Sequence, residues 1–278
     1  MIGEALSCSQ PATYEPAFGA SNKKKELIYG LPSLSLNETH QLLVRYLNKH
    51  LDSVQVRLVA CVSGDDYEDQ VRKGNFDFTI INGLQLILAE QSGYHVTGCM
   101  ADEYRSVIFV NKDSGINSLP NLKGHTISLT GRKILAGAVM PLMYLKQHGL
   151  DVERDINRRY APSYESVLMD VCLGKSSAGA VLGIAFRNFS RLKPELASHL
   201  EVRWVTPPLP GSALLMKRSL DKDLTRKLAG LFFHMQDDSA GRQALAQIGI
   251  TKFQPADSSD YAPMKLFIRE FDSQIHLP

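Results

Sequence analysis

Short strand-like segments alternate with helix-period segments along nearly the whole chain, and this alternation restricts the fold more than any other feature. Residues 26–31 read as a first strand that stops at Pro32. Residues 39–50 carry Leu42, Leu43, Tyr46 and Leu47 at helical spacing, with Asn37 placed as an N-cap. Residues 54–62 alternate Val54, Val56, Leu58 and Ala60 as a second strand. A helix is expected over 67–73, a strand over 76–81, a helix over 84–91, and strands over 95–100 and 106–110. The pattern then restarts with a strand over 126–129 and a helix over 135–148 closed by Gly149. A strand over 158–161, a helix over 164–173 and strands over 179–182, 202–205 and 212–216 follow. Helices over 220–236, 239–247 and 261–275 complete the pattern.

Strands alternating with helices at short spacing require an α/β architecture with mostly parallel sheets. At 278 residues the chain is about twice a common domain size, which suits two lobes. The change of register near Asn111 and the prolines Pro207, Pro208 and Pro210 read as two crossings between lobes. The expected organisation is a flexible tail over 1–25, a first lobe built from 26–110 and 211–278, and a second lobe, 111–210, inserted into it. Two crossings make a hinge, and a hinge between α/β lobes makes a cleft.

Composition removes several function classes. The 31 Lys+Arg against 29 Asp+Glu leave a net charge of +2, and the one basic run, Lys23-Lys24-Lys25, is short. A nucleic-acid partner is therefore not expected. No stretch approaches the roughly 18 consecutive apolar residues of a membrane span. Cys8, Cys61, Cys99 and Cys172 form no CxxC or zinc spacing. A Cys61–Cys99 bridge stays open. HExxH, a G-x-S-x-G elbow, a Walker loop and a paired-glycine fingerprint are all missing. No enzyme activity, metal or cofactor is expected.

Four ordered stretches then carry a family likeness. They are Tyr104 to Ile116 followed by Leu122-Lys123-Gly124, Ser177 to Val181, Thr206 to Pro210, and Gly249-Ile250 with Phe253, Pro255 to Asp257 and Asp260-Tyr261. Together, from about Leu27 to Phe267, they resemble the type II periplasmic solute-binding proteins of the phosphate/phosphonate transporter group. The resemblance implies a two-lobed α/β receptor that closes on a small ligand. It implies a monomer in the periplasm that serves a membrane transporter component. Cys8 follows Ala5-Leu6-Ser7, which leaves lipid attachment open.

In that family the anion sits at a helix N-terminus, where backbone N–H groups and the helix dipole favour negative charge. The family pattern there is a Ser-Ser-Thr-Ser run before a glycine. Counting from Gly124, this chain has Lys133-Ile134-Leu135-Ala136 before Gly137. Gln85-Leu86, preceded by Asn82-Gly83, stands where the family has Ser-Tyr. Tyr164-Glu165 stands for a His-Glu or His-Asp pair, and Leu182 falls where polar or aromatic groups are common. Tyr104 lies beside the first crossing. The candidate ligand contacts are therefore Asn82, Gln85, Leu86, Tyr104, Lys133, Ile134, Leu135, Tyr164, Glu165 and Leu182.

Losing the hydroxyls removes donors that a buried oxyanion needs and creates apolar wall. The leading expectation is a ligand with substantial apolar surface, such as a lipid or sterol-like molecule. Two other readings stay open. One keeps an oxyanion, held by Lys133, backbone N–H groups and Tyr164. The other is an extracytoplasmic sensor domain of a signalling protein.

Overall fold

A computed structural model describes residues 24–82, 85–132 and 134–275. The expected tail over 1–25, with Cys8, falls almost wholly outside the described residues, as does Lys133. The strands are β1 (Lys25–Leu31), β2 (Val54–Ala60), β3 (Phe78–Ile81), β4 (Tyr94–Met100), β5 (Ser106–Asn111), β6 (Thr126–Leu129), β7 (Asn157–Tyr160), β8 (Ala178–Leu182), β9 (Leu200–Val205), β10 (Ala213–Lys217) and β11 (Phe253–Pro255). The helices are α1 (Asn37–His50), α2 (Gly64–Arg72), α3 (Leu86–Gln91), α4 (Met140–Gln147), α5 (Tyr164–Cys172), α6 (Gly183–Leu192), α7 (Pro194–Ala197), α8 (Lys222–His234), α9 (Ser239–Gln247) and α10 (Ala262–Gln274). Of these, α6, α7 and β11 were not anticipated.

The chain divides into two compact units. Among the described residues the first runs to Asp102 and resumes over Pro210–Ala262. The second takes Glu103–Leu209 and continues from Pro263. This differs from the sequence reading, which kept residues up to 110 and the last helix with the first lobe. The reason is pairing: β5 lies between β8 and β9 in the second sheet. Its apolar run Val107, Ile108, Phe109 suits any buried strand and carries no sign of which sheet it joins.

The first unit's sheet has the order β11-β4-β10-β3-β1-β2. β1 runs parallel to β2 and β3, whereas β10 is antiparallel to β3 and β4, and β11 is antiparallel to β4. The sheet is mixed rather than mostly parallel, because β10 and β11 reach it from a distant part of the chain. Leu43 and Leu47 of α1, Leu228 and Phe232 of α8, and Leu245 of α9 join Leu27, Tyr29 and Phe78 in one core. Tyr29 stacks on Phe78 at 4.7 Å, and Phe232 meets Phe78 edge-on at 5.9 Å. Each such side chain contributes about 1.5–3 kcal/mol when fully buried. Helix α1 places Glu38 in its first turn and Lys49 and His50 in its last, the polarity its dipole favours. Asn37 is its first residue rather than its cap, and its carboxamide oxygen accepts from Gln41 Nε2 at 3.0 Å.

The second unit's sheet has the order β7-β6-β8-β5-β9, with β6 parallel to β7 and β8, and β5 antiparallel to β8 and β9. Phe109, Val167, Val171, Val181 and Phe189 form its core. Buried Asp170 of α5 ties the helix to the sheet. It accepts from Ser128 Oγ at 3.0 Å and from Arg159 Nε at 2.9 Å.

Cys99 is a free thiol, so no bridge joins it to Cys61. Among the described residues no helix is long and apolar enough to cross a membrane.

Candidate ligand-binding site

Strand β6 ends at Thr130, and the chain turns through Gly131. The Ile134 N–H donates to the Gly131 carbonyl at 2.8 Å. A π-helical turn, Leu135–Val139, then leads directly into α4. The Ile134 carbonyl accepts from the N–H groups of both Ala138 and Val139, at 2.9 and 3.2 Å. Residues 135–138 include no acidic side chain, so nothing in the first turn opposes an anion.

Two hydroxyl side chains, those of Thr130 and Tyr164, pack on this turn. Thr130 is 4% exposed, and its Oγ1 is buried with no hydrogen-bond partner among the described residues. Its N–H donates to the Gly137 carbonyl at 3.0 Å. A β-carbon at Gly137 would lie 2.9 Å from Thr130 Cβ and 3.0 Å from Tyr164 Cε1. Both side chains therefore pack directly on the helix start. Tyr164 opens α5, which Ser163 caps by accepting the Ser166 N–H at 3.1 Å. The side chains of Tyr104 and Tyr164 interact through their hydroxyls. Burial raises the pKa of both phenols, and for Tyr164 the nearby Tyr104 adds to the rise. Both stay neutral at ordinary pH and act as uncharged hydrogen-bond donors.

The turn is also anchored from β5. The Ser106 hydroxyl donates to the Ala136 carbonyl, and the Ser106 N–H donates to Thr206 Oγ1 at 3.0 Å. Tyr104 is held by a backbone bridge to Leu209, with an N–H···O bond of 2.9 Å in each direction.

Of the sequence candidates, Tyr104 and Tyr164 are brought together. Ile134 stands 39% exposed at the turn, and half-buried Leu182 ends β8, the strand beside β6. Leu135 and Leu86 have no exposed surface and pack in the interior instead of walling a ligand. Glu165 is exposed and forms an ion pair with Lys193, so its charge serves the protein surface. In the first unit, Asn82 follows β3 and Gln85 precedes α3. Thr130 was missed, although its hydroxyl stands just ahead of Gly131. Its importance depends on the approach of Gly137 and Tyr164, which sequence spacing does not reveal.

Two mixed α/β units are the fold of the two-lobed periplasmic binding proteins. Residues 31–261 match the family described as ABC transporter, phosphonate, periplasmic substrate-binding protein, and the chain belongs to that family of receptors. It is 23% identical over 261 residues to a probable ABC transporter phosphite binding protein, PhnD1, of Prochlorococcus marinus, covering 87% of this chain and 88% of that one. The phosphonates-binding periplasmic protein of Escherichia coli is 23% identical over 172 residues, 58% of this chain and 49% of that protein. Solved structures share the fold. PhnD1 in complex with methylphosphonate has a TM-score of 0.78 at 21% identity, covering 90% of this chain and 98% of that one. XAC2383 of Xanthomonas citri bound to ATP has a TM-score of 0.75 at 18% identity, covering 91% and 100%.

Proposed function

We propose that the chain binds a small oxyanion of the phosphite or phosphonate type and delivers it to an ABC transporter. The observation that carries this reading is the helix start at Leu135–Val139. Its first turn is free of acidic side chains, and Thr130 and Tyr164 pack on it. Backbone N–H groups and the dipole supply attraction, and neutral hydroxyls from the end of β6 and the start of α5 replace the hydroxyl run missing at 133–136. The names of the relatives, phosphite and phosphonate binding, support the same chemistry. They give no support to the lipid or sterol-like ligand expected from the missing hydroxyls.

Titration calorimetry with phosphite, phosphate and methylphosphonate tests the proposal. At least one is expected to bind at micromolar affinity or better. Tyr164→Phe should weaken it about 10-fold or more, as expected for one charge-assisted hydrogen bond. No measurable binding of any of the three would overturn the reading.

A further inference from the structure

We propose that Arg132, laid across the ring of Tyr160, takes up the second negative charge of the bound oxyanion, so that the protein holds doubly charged tetrahedral anions and discriminates against singly charged ones of the same shape. This rests on the oxyanion reading above and extends it to one residue of the second unit.

The bond from the Ile134 N–H to the Gly131 carbonyl closes a β-turn, and Arg132 is its first corner residue. Arg132 is exposed, yet its guanidinium carbon lies 4.6 Å from the centroid of the Tyr160 ring. Tyr160 ends β7 in register with Leu129, the last residue of its parallel neighbour β6. The two strands finish together, at the carboxyl edge where ligands of open α/β sheets lie. Thr130, the next residue, is 4% exposed and its hydroxyl has no partner among the described residues. A buried donor without an acceptor is costly, and an anion oxygen would supply the acceptor.

In the same unit Arg105, Arg154, Arg159 and Arg203 each answer a carboxylate, on Glu103, Asp151, Asp170 and Glu201. Arg132 forms no ion pair among the described residues, and its contact is the Tyr160 ring. A ring meets only the face of a guanidinium, so the N–H edge stays free. That edge is a planar fork of donors matched to two oxygens of one anion. The stack also holds the long side chain before the anion arrives, so less side-chain entropy is lost on binding. Magnitudes decide the role. The positive end of a helix dipole amounts to about half an elementary charge, too little to balance a dianion. The turn at Leu135–Val139 adds no charged side chain of its own. The guanidinium adds a full charge at any ordinary pH.

The test is calorimetry in alkaline buffer with methylphosphonate, doubly ionised there, and methanesulfonate, its singly charged counterpart of the same shape. Wild type should bind methylphosphonate at least about 10-fold more tightly, the margin expected of one charge-assisted contact. Arg132→Gln should weaken methylphosphonate about 10- to 100-fold and shift methanesulfonate by no more than about 3-fold, with the melting temperature unchanged. Arg132→Lys should recover part of the loss, because the charge returns without the stacked fork. Tyr160→Leu keeps the charge but removes its support, and should weaken methylphosphonate about 2- to 10-fold. Equal loss of both anions in Arg132→Gln, or no loss of methylphosphonate, would overturn this inference and leave the oxyanion reading standing. A wild type that binds the two anions equally would overturn it as well. Failure of wild type to bind phosphite, phosphate or methylphosphonate would remove the oxyanion reading, and this inference with it.

Discussion

Gly137 and Thr130 are in such close approach that a β-carbon at 137 would come within 2.9 Å of Thr130 Cβ. The Tyr164 ring limits relief on the other side, at 3.0 Å from the same point. Gly137→Ala should therefore cost about 1–3 kcal/mol by overpacking and abolish anion binding by displacing the turn. A β-carbon added at Gly230 in α8 would meet nothing within 4 Å beyond its own helix backbone, and Gly230→Ala should be neutral or stabilising by up to about 1 kcal/mol. Thermal melts and calorimetry on the two variants check the contrast. Equal behaviour of the two would show that the helix start yields freely.

Asp170→Ala would leave the hydroxyl of Ser128, which is 0% exposed, without its carboxylate acceptor. The expected loss is about 1–3 kcal/mol. Asp170→Asn retains one acceptor oxygen and should lose less. Urea unfolding of both variants reads the difference, and indistinguishable midpoints would count against the role of this network.

His40 predicts a pH dependence. It is buried, and its Nδ1 lies 2.8 Å from the Leu36 carbonyl, to which it donates. Burial holds its pKa below the ordinary imidazole value, and the Leu36 hydrogen bond offsets this only in part. The folded state thus binds fewer protons at His40 than the unfolded state. The stability this represents is present above the unfolded pKa of about 6.5, and is lost as pH falls through that value toward the folded pKa. Melting temperature should drop between about pH 7.5 and 5.5, and His40→Gln should make the drop shallower. His95, lowered by burial and by Arg218, accounts for part of the remaining slope. An unchanged slope in His40→Gln would refute the assignment.

Asp238 caps α9 by accepting the Gly241 N–H at 2.9 Å, and its other oxygen accepts from the Tyr46 hydroxyl at 2.9 Å. The Gly241 bond is the largest cause of a pKa held below the ordinary carboxylate value. Asp238→Ala should cost about 1 kcal/mol at neutral pH. The charge contributes above the unfolded carboxyl value of about 3.9, so wild type and Asp238→Asn should converge as pH falls toward 3. Acid-dependent melts of the two proteins test this directly.

Much of the fold can be read from the chain because the relevant signals are local. The Val54, Val56, Leu58 alternation and the Leu43, Leu47 spacing mark β2 and α1 wherever they lie in space. The candidate site was legible only in part. Tyr104 and Tyr164 stand at positions the family likeness points to. Leu86 and Leu135 looked equally suited to a ligand wall, yet both are fully enclosed, because hydrophobicity does not distinguish core from cleft.

The amino-acid sequence by itself determined the alternating elements, the α/β class and the loss of hydroxyls over 133–136, all of which follow from residue type and short-range periodicity. Only the tertiary structure decided that β5 pairs in the second sheet, that Thr130 and Tyr164 meet on Gly137, and that Leu86 and Leu135 are fully enclosed. Strand partners, close approaches and burial depend on residues far apart in the chain, and no local pattern encodes those distances.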